Sequence, residues 1–110
     1  MTVTQKSAED CIAACQRCVV ACQRCLSEMM GKSSDNDCPS CCLECIDLCN
    51  VCISALSRQS RYSEQLCRVC AEACRWCAEQ CGEHSHDHCQ ACAAACVECA
   101  DECQKLAHSA

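Results

Sequence analysis

The cysteines of this chain recur at steps of three and four residues, and this spacing limits the possible folds more than any other feature. The first run steps four, three, four and three residues through Cys11, Cys15, Cys18, Cys22 and Cys25. Residues spaced in this way share one face of an α-helix, at the a and d positions that face other helices. Helix bundles normally place Leu, Ile or Val there, whereas this run places a thiol at each position.

Three further runs repeat the pattern, and together the four runs hold all 21 cysteines. The thiols of the later runs are Cys38, Cys41, Cys42, Cys45, Cys49 and Cys52, then Cys67, Cys70, Cys74, Cys77 and Cys81, then Cys89, Cys92, Cys96, Cys99 and Cys103. Only one of the adjacent Cys41 and Cys42 can lie squarely on the seam. The pattern predicts an all-α fold, an antiparallel up-down four-helix bundle with a cysteine-lined core. We expect residues 1–110 to form a single four-helix-bundle domain.

The composition agrees with a core made of thiols. The chain has 21 Cys and 15 Ala, whereas Leu, Ile and Val together number 15 and Phe is absent. A chain so poor in large apolar residues would risk disorder unless the thiols took their place. Free Cys buries readily and packs like a small hydrophobic residue, so a thiol core is the simpler interpretation.

Turn and capping residues predict the ends of the first two helices. Helix 1 is expected to begin near Ser7, a good N-cap, and to run to about Met30, with Gly31 stopping it. A polar loop follows, and Pro39 suits the first turn of helix 2. Helix 2 is then expected to run to about 56–58.

The second half of the chain carries similar signals. Helix 3 is expected from about Ser63 to Cys81, with Gly82 ending it. Asp87 and Gln90 resemble a capping box, so helix 4 is expected to begin at Asp87 and to end near residue 107.

Several function classes lack support in the sequence. The net charge is −6 with no basic run, which gives no indication of nucleic-acid binding. No apolar stretch is expected to approach the ~18 residues of a membrane span. The first ten residues contain no apolar signal core and no twin arginine. We therefore expect a cytoplasmic protein, in a compartment where thiols stay reduced.

Four uses of inward thiols compete. Plain core packing is a poor explanation, because Cys buries less apolar area than Leu. A disulfide scaffold suits loop-rich secreted proteins, and 21 thiols would leave at least one unpaired. A redox protein needs one special reactive pair, whereas Cys-x-x-Cys pairs recur along every helix. No phosphate-binding glycine loop or Ser/His/Asp set suggests an enzyme. Binding of many metal ions is the use that the repetition favours.

Charge selects Cu(I) among the ions that soft thiolates bind. A Zn(II) ion in a four-cysteine site leaves a net charge of −2, and several such sites in one core would repel one another. If each thiolate bridges two Cu(I) ions and each ion takes two thiolates, the core is neutral. On that stoichiometry the bundle would hold roughly 20 ions. Thiols three or four residues apart on a helix lie close enough to share an ion.

The predicted topology also makes the two ends of the bundle different. Short connections make neighbouring helices antiparallel, so the 1–2 and 3–4 connections lie at the same end. That end holds Met29, Met30, His84, His86 and His88. Thioether and neutral imidazole bind Cu(I) without adding charge, so this end is a candidate site of copper uptake. His108, near the other end, is expected to be inert.

In these four cysteine seams the sequence resembles the bacterial cytosolic copper storage proteins, over nearly the whole chain from Cys11 to Cys103. The resemblance implies a homotetramer of four-helix bundles that loads many Cu(I) ions through paired thiolates. By matching position it implies that all 21 cysteines are ligands, with the Met and His residues above at the open end. Cys41 is the one cysteine whose role the resemblance does not define.

The sequence is also compatible with two alternative functions and with two roles for an apolar surface. The bundle could be a thiolate store for Zn(II) or a heavy metal, or a thiol–disulfide redox protein. The outward Val20, Leu43 and Val51 leave apolar surface on helices 1 and 2, which would either cover the core or form an oligomer interface. The copper donor or acceptor, and whether the role is detoxification or supply, are not encoded in the pattern.

Overall fold

The computed structural model describes residues 5–107, and His108 lies outside them. These residues form four α-helices, α1 (Gln5–Met29), α2 (Ser40–Ser57), α3 (Ser63–Gly82) and α4 (Asp87–Ala107). Each helix packs against the next one along the chain, and α1 also packs against α4. The bundle measures 44 × 19 × 18 Å along its principal axes. The predicted all-α four-helix bundle is confirmed.

The helices form because each presents one buried stripe of thiols to the others. All 21 cysteines are buried, and the most exposed of them retain 1% of their accessible surface. The opposite faces carry the charges, and two ion pairs cross between helices on the outside, Arg17 with Glu98 and Arg75 with Asp101. Exposed pairs of this kind contribute little to stability, so burial of the thiol stripes must dominate.

The helix starts differ from the prediction in two places. α1 begins at Gln5, so Ser7 lies inside the helix and is not its N-cap. A hydrogen bond between Gln5 and Glu9 and an ion pair between Lys6 and Asp10 extend the first turns. α2 begins at Ser40, so Pro39 precedes the helix and does not lie in its first turn.

The glycines at the ends of α1 and α3 lie close to their predicted positions, but Gln90 at the start of α4 makes contacts that differ from the prediction. Gly31 has φ +81°, the left-handed conformation expected of a residue that stops α1. Gly82 is the last residue of α3, one place later than predicted. Gln90 forms no capping box with Asp87, because its side-chain amide donates instead to the carbonyls of Gly82 and His84. These two hydrogen bonds connect the α3–α4 turn to the start of α4.

One prediction about apolar stretches is wrong. α2, over Ser40–Ser57, is long and apolar enough to cross a membrane by length and composition, with a mean hydropathy of 1.4. Five of its residues are cysteines, which hydropathy scales count as apolar and which all point into the bundle here. A core helix passes the same test, so the finding is weak support for a membrane span.

The two ends of the bundle differ as predicted. One end is closed by apolar side chains that follow the last cysteines, with Leu56 and Leu106 buried. The other end, here called the histidine mouth, consists of Met29, Met30, the 30–39 loop and the three histidines His84, His86 and His88. Ser34 and Asn36 of the loop contact His84, which brings the two connections together at this end.

Candidate metal centre

The sulfur atoms form one continuous column along the bundle axis. Thiols of α1 face those of α4, with Sγ–Sγ distances of 3.6 Å for Cys11–Cys103, 3.7 Å for Cys18–Cys96 and 3.7 Å for Cys25–Cys89. Thiols of α2 face those of α3 in the same manner. This set comprises Cys42–Cys81 at 3.7 Å, Cys45–Cys74 at 3.9 Å and Cys49–Cys70 at 3.7 Å. We call the 21 buried sulfurs the sulfur column.

Contacts across the diagonal of the bundle join the two halves of the column. The Sγ atoms of Cys42 and Cys92 lie 3.8 Å apart, and those of Cys49 and Cys99 lie 3.7 Å apart. Neighbours on one helix also meet, as Cys18 and Cys22 do at 3.9 Å. Cys18 therefore has partners both along its own helix and across the column.

The column contains groups of four sulfurs that lie within 4.8 Å of one another. Five such groups are Cys15, Cys70, Cys99 and Cys103; Cys18, Cys49, Cys74 and Cys99; Cys22, Cys45, Cys77 and Cys96; Cys22, Cys42, Cys77 and Cys92; and Cys25, Cys42, Cys81 and Cys92. The first two groups share Cys99, the third and fourth share Cys22 and Cys77, and the fourth and fifth share Cys42 and Cys92. Most neighbouring groups therefore overlap and are not separate sites.

Cys41 and Cys38 both belong to the column, but in different ways. Cys41 is fully buried, and its sulfur lies 4.0 Å from that of Cys81. Cys38, predicted on the seam of helix 2, lies in the turn before α2. Its sulfur nevertheless reaches the column, 3.9 Å from Cys25 and 3.7 Å from Cys81.

Burial keeps the thiols nearest the histidine mouth protonated in the absence of metal. It raises the pKa of Cys38 to about 12, and it is also the main cause of the raised pKa values of Cys25 and Cys89. Nearby sulfurs, such as Cys42 for all three, raise these pKa values further because two thiolates would repel each other. A metal ion must therefore displace protons to bind.

The three histidines stack on one another at the mouth. Their ring centroids are 6.1 Å apart for His84–His86 and 5.2 Å for His86–His88, with nearly parallel planes. Nδ1 of His88 lies 3.5 Å from the sulfur of Cys89. The stack therefore leads from the surface to the first thiols of the column.

The three histidines differ in their hydrogen bonds. Nε2 of His84 must donate to the side-chain oxygen of Asn36, at 2.9 Å, because that oxygen can only accept. Nε2 of His88 is buried and has no hydrogen-bond partner among residues 5–107. Burial, then the charges of Lys32 and His86, lower the pKa of His88 and favour its neutral imidazole.

The two methionines of the mouth are not equivalent. Met29 is 2% exposed and packs within the core, whereas Met30 is 75% exposed and points away from it. The bundle topology predicts both methionines at this end, but it does not predict their different exposure. The sequence also gives no sign that Asn36, Gln80 and Glu83 hold the 30–39 loop, because polar residues in a loop or on an exposed helix face carry no periodic signal.

Comparison with known proteins finds one matching family model and several similar solved structures. The family model described as "Copper storage protein" matches residues 4–108. The Cu(I)-bound structure of BsCsp3, a copper storage protein of Bacillus subtilis, is 38% identical with a TM-score of 0.87. The match covers 92% of this chain and 98% of that chain. No match was found among curated proteins.

Two solved structures from Streptomyces lividans are similar as well. One, described as copper loading to a cytosolic copper storage protein with five coppers, is 30% identical with a TM-score of 0.87 and coverages of 96% and 95%. The other, a copper storage protein loaded with 10 copper equivalents, is 30% identical with a TM-score of 0.89 and coverages of 98% and 89%.

Proposed function

The chain belongs to the copper storage protein family, and we propose that it stores and buffers Cu(I) on paired cysteine thiolates inside its four-helix bundle. The observation that carries the proposal is the continuous sulfur column, in which sulfurs of facing helices approach to 3.6 Å. Soft thiolates at this density suit a soft monovalent ion. All 21 cysteines, from Cys11 to Cys103, are the proposed ligands.

Charge supports copper over zinc. A tetrahedral Zn(II) site with ~2.3 Å Zn–S bonds has S–S edges of ~3.8 Å, so any one four-sulfur group would accept zinc. Several of the groups share sulfurs, however, so the groups that overlap cannot all be filled by separate tetrahedral ions. Each filled site would also leave a net −2 in a buried core. One Cu(I) per bridging thiolate leaves the core neutral and uses the whole column.

The histidine mouth is the proposed site of copper uptake, with Met29, Met30, His84, His86 and His88 as its soft and borderline donors. His88 has the strongest support, because its buried Nε2 has no hydrogen-bond partner within the described part of the chain and its other ring nitrogen contacts Cys89. An unpartnered buried polar atom costs about 1–3 kcal/mol, which a bound ion would offset. The opposite end is closed by Leu56 and Leu106.

Storage, rather than catalysis, is the proposed role for the whole 110-residue chain acting as one domain. The thiols are buried and repeated, which suits capacity and gives no single site a special position. A cytosolic location would keep the thiols reduced before loading. A homotetramer would cover the apolar side chains Val20, Leu43 and Val51, which are 42–56% exposed.

Anaerobic titration of the reduced, metal-free protein with Cu(I) tests the proposal. Free thiols are counted first, and bound copper per chain is measured against a competing Cu(I) chelator. Saturation near one ion per cysteine, roughly 20, is expected for a neutral copper–thiolate core. A parallel titration with Zn(II) is the control, with saturation at no more than about five ions. Copper saturation at a handful of ions, with most thiols still reactive, would contradict the proposal.

A further inference from the structure

Cys38 is the one cysteine of the 21 that lies outside the four helices. The helical period places the remaining 20 thiols in the sulfur column, but it cannot place Cys38. Cys38 is nevertheless only 1% exposed, and its sulfur lies within 4 Å of Cys25 and Cys81. Because it belongs to the loop at the histidine mouth, it is among the first thiols that an arriving ion would meet. Something in the loop must hold it there.

The side chain of Asn36 makes the contacts that would do so. Its amide nitrogen donates to the carbonyl oxygen of Gln80 at 2.9 Å and to Oε1 of Glu83 at 2.7 Å. Its oxygen accepts the backbone N–H of Cys38 at 3.0 Å and Nε2–H of His84 at 2.9 Å. Both amide hydrogens and the acceptor oxygen are therefore in use.

These bonds connect three parts of the mouth through one residue. Two of them anchor the loop to the last turn of α3 and the residue after it, and a third fixes the backbone of Cys38. A neighbouring hydrogen bond, from the backbone N–H of Asp37 to Oε1 of Gln80 at 2.9 Å, also connects the loop to α3. Without Asn36 the loop would lose its main connection to α3.

We propose that Asn36 is a positioning residue for copper uptake, which holds Cys38 beside Cys25 and Cys81 so that arriving Cu(I) meets assembled thiols. The inference rests on the proposed function, because it concerns the rate at which the histidine mouth passes copper to the column. Asn36 need not touch the ion. Its effect is transmitted through the backbone of Cys38.

Alkylation of the reduced, metal-free protein tests the positioning without any copper. In Asn36→Ala the modification of Cys38 by iodoacetamide, mapped by peptide mass spectrometry, should accelerate about ten-fold or more as the loop detaches. The other 20 cysteines should change less than about two-fold, since the helical packing is retained. Asn50→Ala, an exposed asparagine on α2, is the matched control and should change none of the rates. Equal acceleration at all cysteines, or none at Cys38, would overturn the proposal.

Copper transfer tests the functional consequence. Stopped-flow transfer from a Cu(I)–bathocuproine disulfonate complex should be about ten-fold slower for the first equivalent in Asn36→Ala. The final capacity should stay within about one ion of the starting protein, because only one thiol is displaced. Uptake at an unchanged rate would contradict the proposal.

A double-mutant cycle separates positioning from a general structural effect. Cys38→Ser should slow the first equivalent by a similar factor, and adding Asn36→Ala to it should slow transfer little further. Independent slowing by the same factor would overturn a role through Cys38. If Asn36→Ala does not fold by circular dichroism, Asn36→Asp keeps the side-chain size, loses both N–H donors and should shift each measurement in the same direction. A starting protein that takes up no copper would defeat the proposed function, while the alkylation result would still decide the positioning.

Discussion

The sulfurs of Cys49 on α2 and Cys99 on α4 lie 3.7 Å apart, although these helices stand diagonally opposite in the bundle. No Cα atoms of α2 and α4 approach within 8 Å over the described residues, so the contact is made by the side chains alone. The centre of the bundle is thus filled by sulfur. Removing one such sulfur removes a shared ligand.

Replacing Cys49 by Ser should therefore reduce copper capacity by about one ion per chain, since one bridging thiolate corresponds to one ion. The metal-free protein should lose about 1 kcal/mol of unfolding free energy, because a more polar group is buried among thiols. Anaerobic titration and urea unfolding measure the two effects. Ser54→Ala, on the exposed side of α2, is the control and should leave capacity unchanged. Unaltered capacity in Cys49→Ser would argue against a column in which every thiol is used.

The metal-free protein should lose stability as the pH rises above about 9. The pKa of Cys38 is raised to about 12 by burial, and those of Cys25 and Cys89 are also raised. A thiol in the unfolded chain titrates near ~8.5, so above that pH the folded state holds more protons than the unfolded state. The unfolding free energy must then fall with increasing pH, while it stays level with respect to these groups from pH 6 to about 8.

Urea unfolding in reducing buffer between pH 6 and 10.5 measures that dependence. The copper-loaded protein is the comparison, because its thiolates have already exchanged protons for Cu(I) and should show no such decline. Stability of the metal-free protein that increased across this range would contradict the pKa directions.

His88→Ala should slow the first phase of copper uptake more than His84→Ala does. His88 contacts Cys89 and has a buried nitrogen with no hydrogen-bond partner in residues 5–107, whereas Nε2 of His84 is hydrogen-bonded to Asn36. Loss of one ligand to a transient ion is expected to slow transfer about ten-fold, and total capacity should not change. Stopped-flow transfer from a Cu(I) chelate gives the rates. A larger effect of His84→Ala would show that the stack passes copper by another route.

Leu56→Ala should destabilise the metal-free bundle without altering its copper capacity. Leu56 is 4% exposed and closes the end opposite the histidines. Its truncation leaves a cavity that costs about 2–4 kcal/mol. Chemical unfolding and Cu(I) titration are the two measurements, with the exposed Leu43→Ala as a control expected to cost less than about 1 kcal/mol. Reduced capacity in Leu56→Ala would mean that the closed end also shapes the column.

The sequence alone determined the helices, the identity of the core residues and the class of metal. Steps of three and four residues are a local property, so every seam from Cys11 to Cys103 could be assigned without knowing where its partners lie. The end that carries His84, His86 and His88 also followed from short connections. Local patterns near helix ends were less reliable, and Ser7 and Gln90 both act differently from their predicted capping roles.

Only the tertiary structure decided which sulfurs meet, because the register between helices depends on packing between residues far apart in the chain. The diagonal contact of Cys49 with Cys99 is one example, and the burial of Cys41 against Cys81 is another. The position of Cys38 is a third example, because Cys38 lies outside the helices. Its position depends on hydrogen bonds from Asn36 to Gln80 and Glu83, which are 44 and 47 residues away in the sequence. Periodicity states which face a residue occupies, and only packing states what that face touches.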